Sequence, residues 1–139
     1  MPKSYCAFPF THQYVHMSGS MRLCCATMEN VTDKKGNRLH MNNDSLEKSW
    51  NSDYMKNVRL KMKNGQTLKE CTKCVEQEAR GYKSMRRDHG KNDNLKNLKD
   101  DGSMDTVPYS MELHFGNVCN LKCKMCGQDY SNQIGKEIL

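Results

Sequence analysis

The chain has 139 residues, only 36% of them hydrophobic, with a formal net charge of +6 and eight cysteines. That length suits one ordinary domain or two small ones, and so low an apolar share supports a thin core that bound metal could reinforce. The opening residues MPKSYCAFPF hold no apolar run of signal-peptide length, and no later stretch could span a membrane. No membrane role is expected, and a cytoplasmic location is, where thiols stay reduced and cysteines point to metal before disulfides.

In chain order, residues 5–26 read as a β-hairpin. Phe8, Phe10, His12, Tyr14 and His16 alternate as one strand face would, and Ser18-Gly19-Ser20 is a turn signal. Residues 30–42 are polar and are expected as a loop. Asp44 should cap a helix, with Glu47 completing a capping box and Leu46 and Trp50 facing inward. Ser52 should cap a second helix carrying Met55, Val58 and Met62, with Gly65 as its stop. A third helix is expected around Cys71 and Cys74, with Val75, Ala79, Tyr82 and Met85 on one face. Residues 89–107 turn to Lys, Asn, Asp and Gly and read as a polar linker. Residues 110–117 then read as a strand with Met111, Leu113 and Phe115 on one face. Residues 130–139 read as a closing helix.

Two cysteine patterns carry chemistry. The first is FGNVCNLKCKMCGQDY, spaced Cys119-x3-Cys123-x2-Cys126. Three thiolates in so short a loop can bind three irons of a cubane cluster, leaving the fourth open to a substrate or cofactor. This resembles the cysteine motif of the radical S-adenosylmethionine (SAM) superfamily, in its spacing and in its place between a strand and a helix. Met125 stands where that family usually has an aromatic residue. The resemblance implies a [4Fe–4S] cluster at Cys119, Cys123 and Cys126 that binds SAM. It implies that one electron cleaves SAM to a 5′-deoxyadenosyl radical, which abstracts hydrogen from a substrate. A zinc knot is the structural alternative.

The second pattern is Cys6-x12-Gly19-x4-Cys24, followed after a gap by Cys71-x2-Cys74. A hairpin would bring Cys6 and Cys24 together, with Gly19 supplying a turn conformation that other residues resist. The later pair would complete a closed four-thiolate site, and spacing alone leaves zinc and an iron–sulfur cluster both open. The pattern resembles the SPASM/twitch domains of radical SAM enzymes, over roughly residues 5–87, in the shorter twitch form with one cluster. The resemblance implies an auxiliary [4Fe–4S] cluster on Cys6, Cys24, Cys71 and Cys74. Cys25 would point to the opposite face and is expected as a small buried hydrophobe.

The fold class expected is α+β. A twitch/SPASM-like domain of hairpin and helices would span residues 1–88 and a polar linker residues 89–107. Residues 108–139 would form the first β-loop-α unit of an incomplete radical SAM (β/α) barrel. The chain then reads as part of a radical SAM enzyme, lacking most of the barrel and inactive alone. Resemblance implies SAM, a peptide or protein substrate and an electron donor such as flavodoxin or ferredoxin as partners. Two rivals remain: a zinc-binding nucleic-acid module, and a non-catalytic iron–sulfur protein for electron transfer or assembly. Nucleic acid is not expected, because the lysines are dispersed and the charge falls by about three once seven thiolates bind two dicationic clusters. Arg80, Lys83, Arg86 and Arg87 read as a solvated basic helix end. His12 and His16 read as strand residues with hydrogen-bonded tips, and His114 as a packing residue on the strand before the second cysteine motif.

Overall fold

The structure, a computed structural model, describes residues 4–89 and 95–138. Residues 90–94, inside the stretch read as a linker, and Leu139 lie outside the described residues. The fold is a small α+β arrangement: helix α1 (Phe8–Thr11), strands β1 (His12–Val15) and β2 (Met21–Arg22), helices α2 (Leu46–Trp50), α3 (Asp53–Lys63), α4 (Thr72–Ala79) and α5 (Met85–His89), strand β3 (Ser110–Leu113) and helix α6 (Asn132–Ile138). No helix among the described residues is long and apolar enough to cross a membrane.

The expected hairpin forms, but its first half is helical. Pro9 sits at the start of α1, where its fixed φ suits a helix and its missing N–H costs nothing. The Thr11 hydroxyl donates to the Ala7 carbonyl at 2.9 Å and closes the turn. The alternation of Phe8 and Phe10 therefore does not mark a strand; the extended backbone begins only at His12. β1 pairs antiparallel with β2, Tyr14 opposite Arg22 and Val15 opposite Met21. Gly19 turns the hairpin at φ +83°, and a Cβ there would overlap the His40 ring. Both facts demand glycine.

The polar stretch after the hairpin folds back rather than looping freely. Asp33 accepts from the amides of Lys35 and Asn37, each at 2.8 Å, making a tight turn. Val31 and Leu39, on either side of it, bond Met21 through the backbone and are 1% and 2% exposed. Two apolar residues in a polar run thus become core.

Ser45, not Asp44, caps α2, its hydroxyl accepting from the Lys48 amide. Asp44 instead accepts from the His40 amide and pairs with the Lys48 ammonium at 2.5 Å. Ser52 caps α3 as the sequence suggests, and Met55, Val58 and Met62 are buried on one face. Such caps contribute about 1 kcal/mol each. α3 ends at Lys63 with Asn64 as its C-cap, and Gly65 just beyond turns the chain at φ +74°.

Arg59, on the same helix, is fully buried. It donates to the carbonyl of Pro9 at 2.7 Å and, at 3.3 Å each, to Asn51 Oδ1 and the Gly102 carbonyl, with its guanidinium 4.2 Å from the Trp50 ring centroid. It thereby ties α1, the α2–α3 junction and residues 98–104 together. That last segment falls in the stretch read as a linker, yet Leu98 and Met104 are core residues. Asn51 brackets Met104 through both its backbone groups, and Trp50 Nε1 donates to the Thr106 carbonyl at 2.6 Å.

β3 does not stand apart from the N-terminal hairpin. It pairs parallel with β1, His12 opposite Ser110 through Val15 opposite Leu113, giving the sheet order β2-β1-β3. His12 Nδ1 lies 2.9 Å from the Ser110 hydroxyl across this seam. Of the face expected on the strand, Leu113 packs on the core, while Met111 and Phe115 are exposed.

Candidate metal centre

Each of the four N-terminal cysteines is placed by a different piece of local structure. Cys6 precedes α1 and is 7% exposed. Cys24 follows β2, directly after the buried Leu23. Cys71 closes a 3₁₀ turn, Lys69–Cys71, its amide bonded to the carbonyl of the buried Leu68. Cys74 lies in the first turn of α4. The four line one narrow cavity together with Phe8, Leu23, Ala26, Glu70, Lys73, Met85 and Arg86.

The chemistry of this donor set favours a cationic occupant. Burial pushes the Cys6 and Cys71 thiols up to about 12, and neighbouring cysteines add to the rise in both. Burial also raises Cys24. Four thiolates here would repel one another with little water to screen them, unless positive charge stood between them. The backbone already leans toward thiolate: amides of Phe8 at Cys6, and of Ala26 and Thr27 at Cys24, lower those thiols against the larger effect of burial. No three His, Cys, Asp or Glu side chains among the described residues are grouped to hold a single metal ion.

Cys25 differs from the expectation. It is exposed rather than buried, with its sulfur 3.7 Å from Met85 Sδ. The face expected on α4 is also corrected: no residue of the helix is fully buried, and Tyr82 is 68% exposed. The cysteine cavity, rather than an apolar stripe, occupies the inner side of this helix.

The C-terminal cysteines sit in a local loop. Cys119 and Cys126 are half-buried and Cys123 is exposed. The loop is held at its base, where the Cys119 amide donates to Asn132 Oδ1 at 3.3 Å and the Asn132 amide to the Asn117 carbonyl at 2.9 Å. The buried Ser131 hydroxyl donates to the Leu121 carbonyl at 2.7 Å. The Cys126 amide donates to the Cys123 carbonyl at 3.0 Å, closing a turn over the last two cysteines. Among the described residues these three thiols likewise form no single-ion site.

Sequence reasoning missed one member of the cavity wall. Arg86 was read with its neighbours as a solvated helix end, but it is 7% exposed, with Glu78 paired to it at 2.5 Å. The available signal was a glutamate eight residues upstream of the arginine, across the Gly81 turn. Helical spacing does not reveal such a pair, because the turn reverses the chain between them.

The family model of SPASM, an iron–sulfur cluster-binding domain, matches residues 6–75. No curated protein and no solved structure matches the chain significantly.

Proposed function

Since the chain belongs to the SPASM family of iron–sulfur cluster-binding domains, we propose that Cys6, Cys24, Cys71 and Cys74 hold an auxiliary [4Fe–4S] cluster within a radical SAM enzyme. The observation that carries this reading is the convergence of four cysteines, drawn from three separate segments, on one narrow cavity. The matched residues include all of Cys6, Gly19, Cys24, Cys71 and Cys74. These side chains would exclude water from the cluster and keep its sulfurs fixed, while the amides beside Cys6 and Cys24 would favour the thiolate form.

In the same reading Cys119, Cys123 and Cys126 hold a second [4Fe–4S] cluster with one iron left for SAM. Their spacing and their position between β3 and α6 support it. A cluster at that loop would supply the electron that cleaves SAM reductively. The substrate class is a peptide or protein, and the electron donor a flavodoxin or ferredoxin.

The test is anaerobic reconstitution of the full chain, with iron, sulfide and zinc counted per chain. About eight irons and eight sulfides are expected, falling to about half in Cys119→Ala/Cys123→Ala/Cys126→Ala. Adding SAM to the reduced protein should change the electron paramagnetic resonance spectrum of the wild type and not that of the triple variant. Zinc with little sulfide would overturn the proposal in favour of a zinc module. Iron and sulfide with no response to SAM would remove the catalytic part and leave an electron-transfer or assembly protein.

A further inference from the structure

The wall of the four-cysteine cavity carries three ionisable side chains besides the thiols: Glu70, Lys73 and Arg86. Lys73 is exposed. Glu70 accepts a hydrogen bond from the Tyr54 hydroxyl at 3.0 Å. Arg86 is the buried cation, and its setting is built. Its Nε donates to Glu78 Oε1 at 3.0 Å and its Nη2 to Glu78 Oε2 at 2.5 Å. Glu78 also accepts from the fully buried Ser84 and pairs with Arg87 Nε at 3.3 Å.

Burying such a pair costs desolvation that an apolar pair of similar volume would avoid. Stability alone therefore does not account for an arginine in this wall. Arg86 lines the same cavity as Cys6, Cys24, Cys71 and Cys74 and is 7% exposed, so little water stands to screen its charge from the sulfurs. Glu78 holds the guanidinium at two nitrogens, so it fixes the orientation of the group and partly offsets its charge. Arg87 and Ser84 occupy the carboxylate further, so the local balance stays positive.

We propose that Arg86, oriented by Glu78, is a positioning residue that raises the one-electron reduction potential of the cluster held by Cys6, Cys24, Cys71 and Cys74 and slows that cluster's loss. The inference rests on the assignment of a cluster to those cysteines. An electron taken from an external one-electron reductant, dithionite in the experiment, adds one negative charge to the site and makes or breaks no bond. A fixed cation in the wall stabilises the reduced form more than the oxidised one.

The experiment is an anaerobic potentiometric titration followed by electron paramagnetic resonance. It uses the reconstituted full chain carrying Cys119→Ala/Cys123→Ala/Cys126→Ala, so that one cluster is read. Arg86→Gln should shift the midpoint to more negative potential and speed iron release to a chelator several-fold. Arg86→Lys should lie close to the parent. Glu78→Gln, which removes the offsetting anion, should shift the midpoint the opposite way. A parent-like midpoint in Arg86→Gln would overturn the inference. So would equal loss of iron in Arg86→Gln, Arg86→Lys and Glu78→Gln, which would mark a purely structural pair. A parent chain that takes up no iron and sulfide would instead sink the cluster assignment itself.

Discussion

The cysteines at the two ends of the chain live in different physical surroundings. Around the N-terminal four, the sulfurs come from three segments pinned by the core, and burial pushes thiols such as Cys6 up to about 12. The C-terminal three belong to one loop whose Cys123 is exposed and whose neighbours Val118 and Met125 are more than 90% exposed. A motif that is local in sequence brings its own spacing but no environment. A motif assembled from distant segments exists only once the chain has folded, and then it comes with burial, amides and a charged wall. Occupation of the first site should therefore be coupled to the stability of the domain, and occupation of the second should be nearly independent of it.

The sharpest way to break that contrast is to remove one cysteine from each group in the reconstituted protein. Cys71→Ala should cost about half the iron and lower the thermal midpoint by roughly 10 °C or more. Cys123→Ala should cost a similar share of iron and leave the midpoint within roughly 2 °C. Circular dichroism melts with iron counts decide between them, and equal falls in midpoint would erase the distinction.

A second comparison needs no metal. Arg59→Met in the metal-free chain should cost about 3 kcal/mol in urea unfolding, because it strips a partner from the buried carbonyls of Pro9 and Gly102. Lys122→Ala, which removes an exposed pair with Glu137 near the C-terminal loop, should cost at most about 0.5 kcal/mol. A larger effect at Lys122 would mean that the loop contributes more to stability than its exposure implies.

The smallest effect concerns the seam between the two regions. Burial lowers the pKa of His12 from its ordinary value near 6.5, with Glu112 opposing and His89 adding to that shift. As pH falls, the unfolded chain takes up this proton before the folded one. The contribution is complete above about pH 6.5 and is lost as pH falls through the depressed value of His12. Hydrogen exchange at the β3 amides, corrected for its intrinsic pH dependence, should quicken roughly threefold between about pH 7 and pH 5. His12→Asn should abolish that dependence. An unchanged pH profile in the variant would move the cause away from His12.

Much of the fold was legible wherever short-range chemistry decides the outcome. The Ser52 cap, the Met55, Val58 and Met62 stripe, the Gly65 stop and the Gly19 turn all follow from residue types at fixed offsets. The reading went astray where two local rules competed. At residues 8–11, period-two alternation argued for a strand, while Pro9 and the Thr11 hydroxyl favoured a helical turn. Asp44 and Ser45 are both good caps, and the side-chain bond to Lys48 drew Asp44 away from that role. Polar average composition hid Val31, Leu39, Leu98 and Met104, each a core residue in a hydrophilic run.

By itself the sequence determined the cysteines, their spacing and the glycine between Cys6 and Cys24, because these depend on chemistry and backbone conformation within a few residues. Tertiary structure alone decided that β3 would pair with β1, that Arg86 and Glu78 would meet beside the cysteines, and that Arg59 would join three segments from within the core. Those contacts link residues far apart along the chain, and their energies come from burial and hydrogen bonding that exist only after the chain has closed around them.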